Sequence, residues 1–366
     1  MKVSYVNLGG QWHRERAELM PILDEVLGSG NYIGGKHVEA FEQKATALTG
    51  TKHCIALNSG TDALVLGLAA LGVKRGDEVI TPPNSFVAST GAIVHIGAKP
   101  VFVDVLSDQN IDPAQIEKAI TPKTRAIMAV HLTGRVCNMS RIMEIAQKHN
   151  IPVIEDAAQS IGSKFDNRLS GSFGAIGCFS THPLKNLNAC GDGGLLSTSD
   201  DRIADRIRLL RNHGLADRNT VREFGFVSRM DAFNAAILSY RADRLEKVIT
   251  ARRKNAFYYL EQLKEIPSVI LPAETEKEFN TYHTFVIQTS QRDELKSFLL
   301  DNGIETSIHY PIPIHLQPAA VGLGYKKGDF PVTERQAAQI LTLPVHQLLT
   351  EEELAYVCSI VKKFFA

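Results

Sequence analysis

Between residues 50 and 200, short unbroken apolar runs alternate with segments whose apolar residues recur at helical spacing. His53–Leu57 runs into a helical pattern over Thr61–Leu71, which Gly72 follows. Glu78–Thr81 leads to a second helix over Phe86–Ile96, and Pro100–Val105 reads as the next strand. Ala126–His131 and Val153–Glu155 are unbroken apolar strands with a helix over Ser140–His149 between them, and Ala175–Phe179 and Gly194–Ser197 add two more strands. A strand with only one covered face alternates apolar and polar residues. Strands that are apolar throughout and separated by helices predict a mostly parallel sheet covered on both faces.

After Asp231 the pattern changes. Ala232–Lys264 reads as one long helix, or two with little break, dense in Arg, Lys and Leu. Beyond it, Thr284–Thr289, Arg292–Asp301 and Glu351–Phe365 outline a smaller mixed unit. The chain of 366 residues is too long for one small core and suits a large and a small domain. The expected division is 1–245, including an N-terminal arm, and 246–366, with helix rather than linker crossing the boundary. The opening Asn7-Leu-Gly-Gly-Gln-Trp12 reads as part of that arm, or as a wall of the site.

Composition narrows the partners. Lys plus Arg and Asp plus Glu both number 40, so no basic excess points to nucleic acid or to an acidic membrane surface. The five cysteines, Cys54, Cys137, Cys178, Cys190 and Cys358, form no close pair of the kind that disulfide frameworks and zinc sites use. No metal is expected, and the thiols read as reduced in a cytoplasmic protein. Charges at Lys2, Arg14, Glu15 and Arg16 interrupt the first twenty residues, which lack the apolar core of a signal peptide. No apolar stretch approaches the ~18 residues of a membrane span.

Five segments carry candidate chemistry. Asn58-Ser-Gly-Thr-Asp62 lies between a strand and a helix, where glycine permits close approach and first-turn N–H groups attract phosphate. Read alone, it is also an ordinary capped turn. Asp156, in Val153-Ile-Glu-Asp-Ala-Ala-Gln159, ends a strand at the carboxyl edge of the sheet, where a carboxylate can hold a proton on a heterocyclic nitrogen. Lys185, in Phe179-Ser-Thr-His-Pro-Leu-Lys185-Asn-Leu, sits in a segment poor in other charges, ahead of Gly191-Asp-Gly-Gly194. Partial desolvation there would free its amine as a nucleophile, making it a candidate Schiff-base lysine. Phe86 follows a strand and is placed either to lie on a flat ring or to fill the core. Ser307-Ile-His309-Tyr310-Pro-Ile-Pro is an extended segment with polar rings, either a substrate wall or a structural loop.

The order of these segments resembles the sugar aminotransferases of the DegT/DnrJ/EryC1/StrS family, from Tyr32-Ile-Gly-Gly35 and Phe41-Glu42 to His309-Tyr310-Pro311. Asn58–Asp62, Glu155–Gln159 and Ser180–Lys185 with Gly191–Gly194 are its most specific parts. The resemblance implies the α/β architecture of a fold type I aminotransferase: a large domain with a mostly parallel seven-stranded sheet, and a smaller C-terminal α+β domain. It implies pyridoxal 5'-phosphate as cofactor, held by Lys185, with Asp156 at the pyridinium nitrogen and Gln159 beside the phenolic oxygen. Phe86 matches the stacking position, and Gly60, Thr61, Asp62 and Ser180 match the phosphate cup. Arg229, His309 and Tyr310 are the implied substrate residues.

The implied reaction moves an amino group from an amino acid, usually glutamate, to a nucleotide-linked keto-sugar in a ping-pong cycle. The His309–Pro313 segment leans towards members that aminate C3 of a dTDP- or UDP-linked sugar. The family works as a homodimer with shared sites. Here Gly225–Asp231 departs from its pattern, with Val227 where Asn is common, and Asn234 stands where Gln is common. Some members are dehydratases with histidine in place of the lysine, so Lys185 favours transfer. The alternatives are another fold type I enzyme, a lyase or aldolase, or a non-catalytic cofactor-binding sensor. A nicotinamide enzyme is disfavoured, because no G-x-G-x-x-G follows a predicted strand.

Overall fold

The computed structural model describes residues 1–366. Two helices precede the first strand, α1 (Leu8–Gly28) and α2 (Lys36–Thr49). The main sheet has seven strands: β1 (His53–Leu57), β2 (Glu78–Thr81), β3 (Lys99–Phe102), β4 (Thr124–Val130), β5 (Val153–Asp156), β8 (Ile176–Ser180) and β9 (Gly194–Thr198). Between β5 and β8 lie two-residue strands, β6 (Lys164–Phe165) and β7 (Arg168–Leu169), which join β10 (Glu278–Phe279) in a small separate sheet. The main order is β1-β9-β8-β5-β4-β2-β3. β9 alone runs antiparallel to its two neighbours.

Alternate residues of each strand enter different cores, which explains the unbroken apolar runs. Ile55 and Leu57 of β1, with Ala126 and Met128 of β4, pack under α3 (Gly60–Ala70), α4 (Val87–His95) and α7 (Asp201–Leu210). Cys54 and Ala56 face the other way, against α2 and α8 (Ala232–Ala242). Ile127 and Ala129 also face that side, in a cluster that includes residues of α5 (Pro113–Ala119) and α6 (Met139–His149). Both faces are covered, as a parallel sheet requires.

The stretch expected as one helix or two is two. α8 ends at Ala242, and α9 (Leu245–Leu263) follows after Asp243 and Arg244. Leu245 and Ile249 of α9 belong to the core with α2 and α8. Its later residues Ala256, Tyr259 and Leu263 belong to another. That second core is built on the antiparallel pair β11 (Phe285–Gln288) and β12 (Ile340–Leu343), with α10 (Arg292–Asp301) and α12 (Glu351–Phe365). α11 (Pro331–Gln339) leads directly into β12. Val3 enters this C-terminal core and bridges to Ile304.

The opening segment differs from an extended arm. Asn7 caps α1, its Oδ1 accepting the Gly10 N–H at 2.8 Å. From Leu8 onward the chain is helical and packs on α8 through Leu19, Ile237 and Tyr240, so only the residues before the cap are arm-like. α1 buries only Gln11, Leu19 and Val26, with Trp12, Ile22 and Leu23 partly buried beside them. No helix is long and apolar enough to cross a membrane.

Candidate functional site

β1, β4, β5 and β8 point the same way, and their carboxyl ends, with the start of β9, form one rim of the sheet. A cavity of about 410 Å³ opens there, within the size range of small-molecule sites. Gly60, Thr61, Phe86, Asp156, Gln159, Ser180, Lys185, His309 and Tyr310 all line it. Two expected residues do not. The Asp62 carboxylate turns to Ser228, whose hydroxyl donates to it at 2.7 Å, and Asp62 gives its N–H to the capping Ser59 hydroxyl at 3.0 Å. Arg229 donates to Asn212 at 3.2 Å and lies off this chain's cavity. In this chain the Asp62 carboxylate braces the start of α3 against Ser228.

The rim of α3 is packed to admit an anion. A Cβ on Gly60 would meet the Cβ of Ser180 at 2.7 Å, and one on Gly194 would lie 2.1 Å from the Ser59 carbonyl oxygen. Only glycine at both positions lets β8, β9 and the first turn of α3 close up. The N–H groups of Gly60 and Thr61 then point outward with no acceptor inside the helix.

Asp156 is buried and forms no salt bridge. Ser89, on α4 one turn after Phe86, donates to Oδ2 at 2.6 Å, and the Ala158 N–H reaches Oδ1 at 3.2 Å. These contacts fix the carboxylate without neutralising it. Gln159 is fixed by its oxygen, which accepts the Thr133 N–H at 2.7 Å, so its amide NH₂ is turned to Tyr310 Oη at 3.4 Å. Phe86 is 54% exposed although large and apolar, and its ring lies 5.7 Å from that of Tyr310. An aromatic so placed on a cavity wall offers a stacking face.

Behind this rim, Glu155 is wholly buried and satisfied four times. The N–H groups of Gly171, Phe173 and Gly174 each reach it at 2.7 Å, and His131 Nε2 at 2.8 Å. His131 Nδ1 accepts the Cys137 N–H at 3.2 Å, which leaves Nε2 as the protonated nitrogen donating to Glu155. The pair holds the ends of β4 and β5 in register beneath Asp156.

Lys185 lies in the turn after β8, its N–H donating to the His182 carbonyl at 2.8 Å, and its amine has no salt-bridge partner. Burial lowers its pKa from 10.5 to about 8, and the Asp156 charge opposes that shift. Acylation of Lys185 in the cofactor-free protein is expected to titrate with a midpoint near about 8, measured by peptide mass spectrometry across pH. Asp156→Asn removes the carboxylate that favours the ammonium form, so the midpoint falls further. A midpoint at the ordinary lysine value contradicts the desolvated placement.

Several lining residues had no local signal in the sequence. Tyr5, Arg252, His283 and His346 reach the cavity from four separate parts of the chain. His309 is lowered to about 4 and His283 well below its usual value, chiefly by desolvation, so both are neutral at neutral pH. Ser89 alone was findable, three residues after Phe86 on the same helical turn.

A model of the DegT/DnrJ/EryC1/StrS aminotransferase family matches residues 13–362. The chain is 41% identical to a pleiotropic regulatory protein of Geobacillus stearothermophilus, over 100% of this chain and 99% of that one. It is 38% identical to the dTDP-3-amino-3,4,6-trideoxy-alpha-D-glucose transaminase of Streptomyces venezuelae, over 99% and 96%. It is also 38% identical to the UDP-N-acetyl-3-dehydro-alpha-D-glucosamine 3-aminotransferase of Acidithiobacillus ferrooxidans, over 99% and 97%. Among solved structures, S. venezuelae DesV in complex with a ketimine intermediate superposes with a TM-score of 0.97 at 38% identity, covering 99% of this chain and 98% of that one. Bacillus subtilis NtdA with bound pyridoxamine phosphate gives 0.94 at 33%, covering 100% and 85%. A family match across nearly the whole chain, and whole-length likeness to sugar transaminases and cofactor-bearing aminotransferases, settle the class. The chain belongs to the DegT/DnrJ/EryC1/StrS family and is a pyridoxal-phosphate-dependent nucleotide-sugar aminotransferase.

Proposed function

We propose that this enzyme transfers the amino group of L-glutamate to C3 of a dTDP- or UDP-linked keto-sugar, by a ping-pong cycle, as a cytoplasmic homodimer with shared sites. The observation that carries the reading is the meeting of Lys185, a desolvated unpaired amine, and Asp156, an unneutralised carboxylate, in one cavity at the sheet's carboxyl rim. The sugar transaminases named above, which act at or carry an amino group on C3, support the position. The family resemblance supports glutamate.

The residues present fit pyridoxal phosphate. Asp156 lacks a cationic partner, as a carboxylate awaiting a ring N–H would. The first turn of α3 with Ser180 offers N–H and hydroxyl donors to a phosphate, and Phe86 offers a face to the ring. When bound, the cofactor supplies an electrophilic carbonyl carbon and a ring that takes up the electron pair left by a departing Cα proton.

In this reading Lys185 anchors the cofactor between turnovers. With the donor bound, the neutral Lys185 amine would be the base that accepts the proton leaving the donor's Cα. With the cofactor bound, Asp156 would keep the ring nitrogen protonated, Ser89 would keep Asp156 aimed, and Gln159 would offer its NH₂ to the phenolic oxygen. His309 and Tyr310 close the substrate side. In the second half-reaction the Lys185 ammonium would supply a proton to the sugar carbon that receives the nitrogen. We further propose domains of 1–245 and 246–366, with α9 bridging them.

A second copy of the chain is supported by exposed apolar groups around the 221–227 segment and the Tyr32–Ile33 turn. Phe224 is 98% exposed, and Val227, Tyr32 and Ile33 are each more than half exposed. The Ala232 N–H bonds the Tyr32 carbonyl at 2.8 Å, joining the turn to the start of α8. Large apolar side chains left this exposed are a feature of surfaces that a partner covers.

Incubation with glutamate and a panel of 3-keto and 4-keto nucleotide sugars, with product nitrogen located by NMR, tests the regiochemistry. A 3-amino product is expected. A 4-amino product, or turnover only with another amino donor, overturns the corresponding part of the proposal.

A further inference from the structure

Besides Lys185, one further cation in the cavity has no counterion. Arg252, on α9, is buried at 6% exposure and forms no salt bridge, whereas its neighbour Arg253 pairs with Glu274 at 2.8 Å. Its Nη1 donates to the carbonyls of Tyr282 at 3.3 Å and His283 at 3.1 Å. Its Nε is buried with no acceptor, and Nη2 bonds nothing in the chain. The unused Nε–Nη2 edge is the side-on fork that matches a planar carboxylate. Burial lowers Arg252 only to about 10, so it is charged at every physiological pH. A buried charge without a partner is costly, and a ligand anion offsets that cost.

Position narrows the anion. Arg252 and Lys185 both line the main cavity and also a small adjoining pocket with Val6, Leu184 and His346. The cofactor's phosphate has its own cup at α3 and Ser180, and the nearby imidazoles His283 and His309 are neutral. His346 beside the guanidinium is also neutral at neutral pH, lowered to about 4 chiefly by burial, and Tyr5, stacked on His309 at 5.9 Å, adds a polar hydroxyl there. An anion held by Arg252 therefore lies on the Lys185 side, where the proton is moved.

Resting on the amino-acid-donor reading above, we infer that Arg252 is the residue that binds the α-carboxylate of the amino donor and so presents the donor's Cα to Lys185. The site takes a carboxylate rather than the sugar's diphosphate, because a single planar edge is free and the other cation beside it, Lys185, is engaged by the cofactor.

The test separates the two half-reactions in the cofactor-loaded protein. Wild type is first titrated with glutamate, glutamine, aspartate and alanine, following conversion of the pyridoxal form to the pyridoxamine form. If none converts it, the donor reading fails before any variant is made. For R252Q the concentration of the working donor needed for half-maximal conversion is expected to rise about 10- to 100-fold, the scale of a lost charged hydrogen bond. The reverse half-reaction, driven by the amino-sugar nucleotide, is expected to stay within about twofold, and R252K to recover part of the loss. Calorimetry adds a readout independent of turnover: 2-oxoglutarate, which cannot react with the pyridoxal form, binds that form of R252Q more weakly than wild type, while dTDP binds both alike.

Equal weakening of both half-reactions, or loss of dTDP binding with 2-oxoglutarate binding intact, overturns the assignment. Should R252Q not fold, phenylglyoxal modification of wild-type Arg252 decides. Protection by 2-oxoglutarate and not by dTDP supports the inference, and the opposite pattern, or protection by neither, sinks it.

Discussion

Lys185→Ala removes amino transfer while leaving a folded protein that still takes up pyridoxal phosphate. The expected fall in kcat is at least about 10²–10⁴-fold, the size of a lost positioned proton transfer. Loss of the anchoring amine adds to it. No other lysine lines the cavity, and the nearest imidazoles are neutral and weakly basic. Lys185 makes no salt bridge, so its truncation breaks no ion pair in the resting fold. Kinetics of the purified variant with and without small primary amines check the assignment. The account expects partial rescue by methylamine, which enters the space left by the side chain. A merely structural lysine gives no rescue.

Asp156→Ala has the second largest expected effect, a fall in kcat of about 10²–10³-fold, comparable to removing one preorganised partner of a developing charge. Asp156 ends β5 at a place fixed by pairing with β4 and β8, and its two oxygens already accept from Ser89 and Ala158. The loss falls on kcat more than on cofactor affinity, because the α3 turn, Ser180 and Phe86 still hold the cofactor. Ser89→Ala is the graded companion: it leaves the carboxylate but frees its orientation. Steady-state kinetics together with cofactor titration separate the two effects. An Asp156→Ala enzyme with near-normal kcat contradicts the role.

Much of this was legible because the sheet is covered on both faces. His53–Leu57 and Val153–Glu155 read as short strands between helical patterns, so strand identity and the carboxyl rim followed together. Lys185, Asp156 and Gln159 stood out because each lies beside a strand end with few competing charges. α1 was not legible, because it buries only three residues and charges at Arg14, Glu15, Arg16, Glu18, Asp24 and Glu25 interrupt its apolar positions. Asp62 looked like a phosphate-cup residue from its neighbours, but a carboxylate repels phosphate and finds Ser228 instead. Arg252 was invisible for another reason. Within α9 it is one of several basic residues, and only the fold shows that Arg253 has a partner while Arg252 has none.

The most direct measurement follows the absorption spectrum of the cofactor-loaded wild-type enzyme through both halves of the cycle, in parallel with Lys185→Ala. Glutamate is expected to convert the visible band of the pyridoxal form to the near-ultraviolet band of the pyridoxamine form, releasing 2-oxoglutarate. A 3-keto nucleotide sugar then restores the visible band and carries away the nitrogen, and Lys185→Ala does neither. A wild-type band that no amino acid converts, or a converted band that no nucleotide keto-sugar restores, contradicts the account.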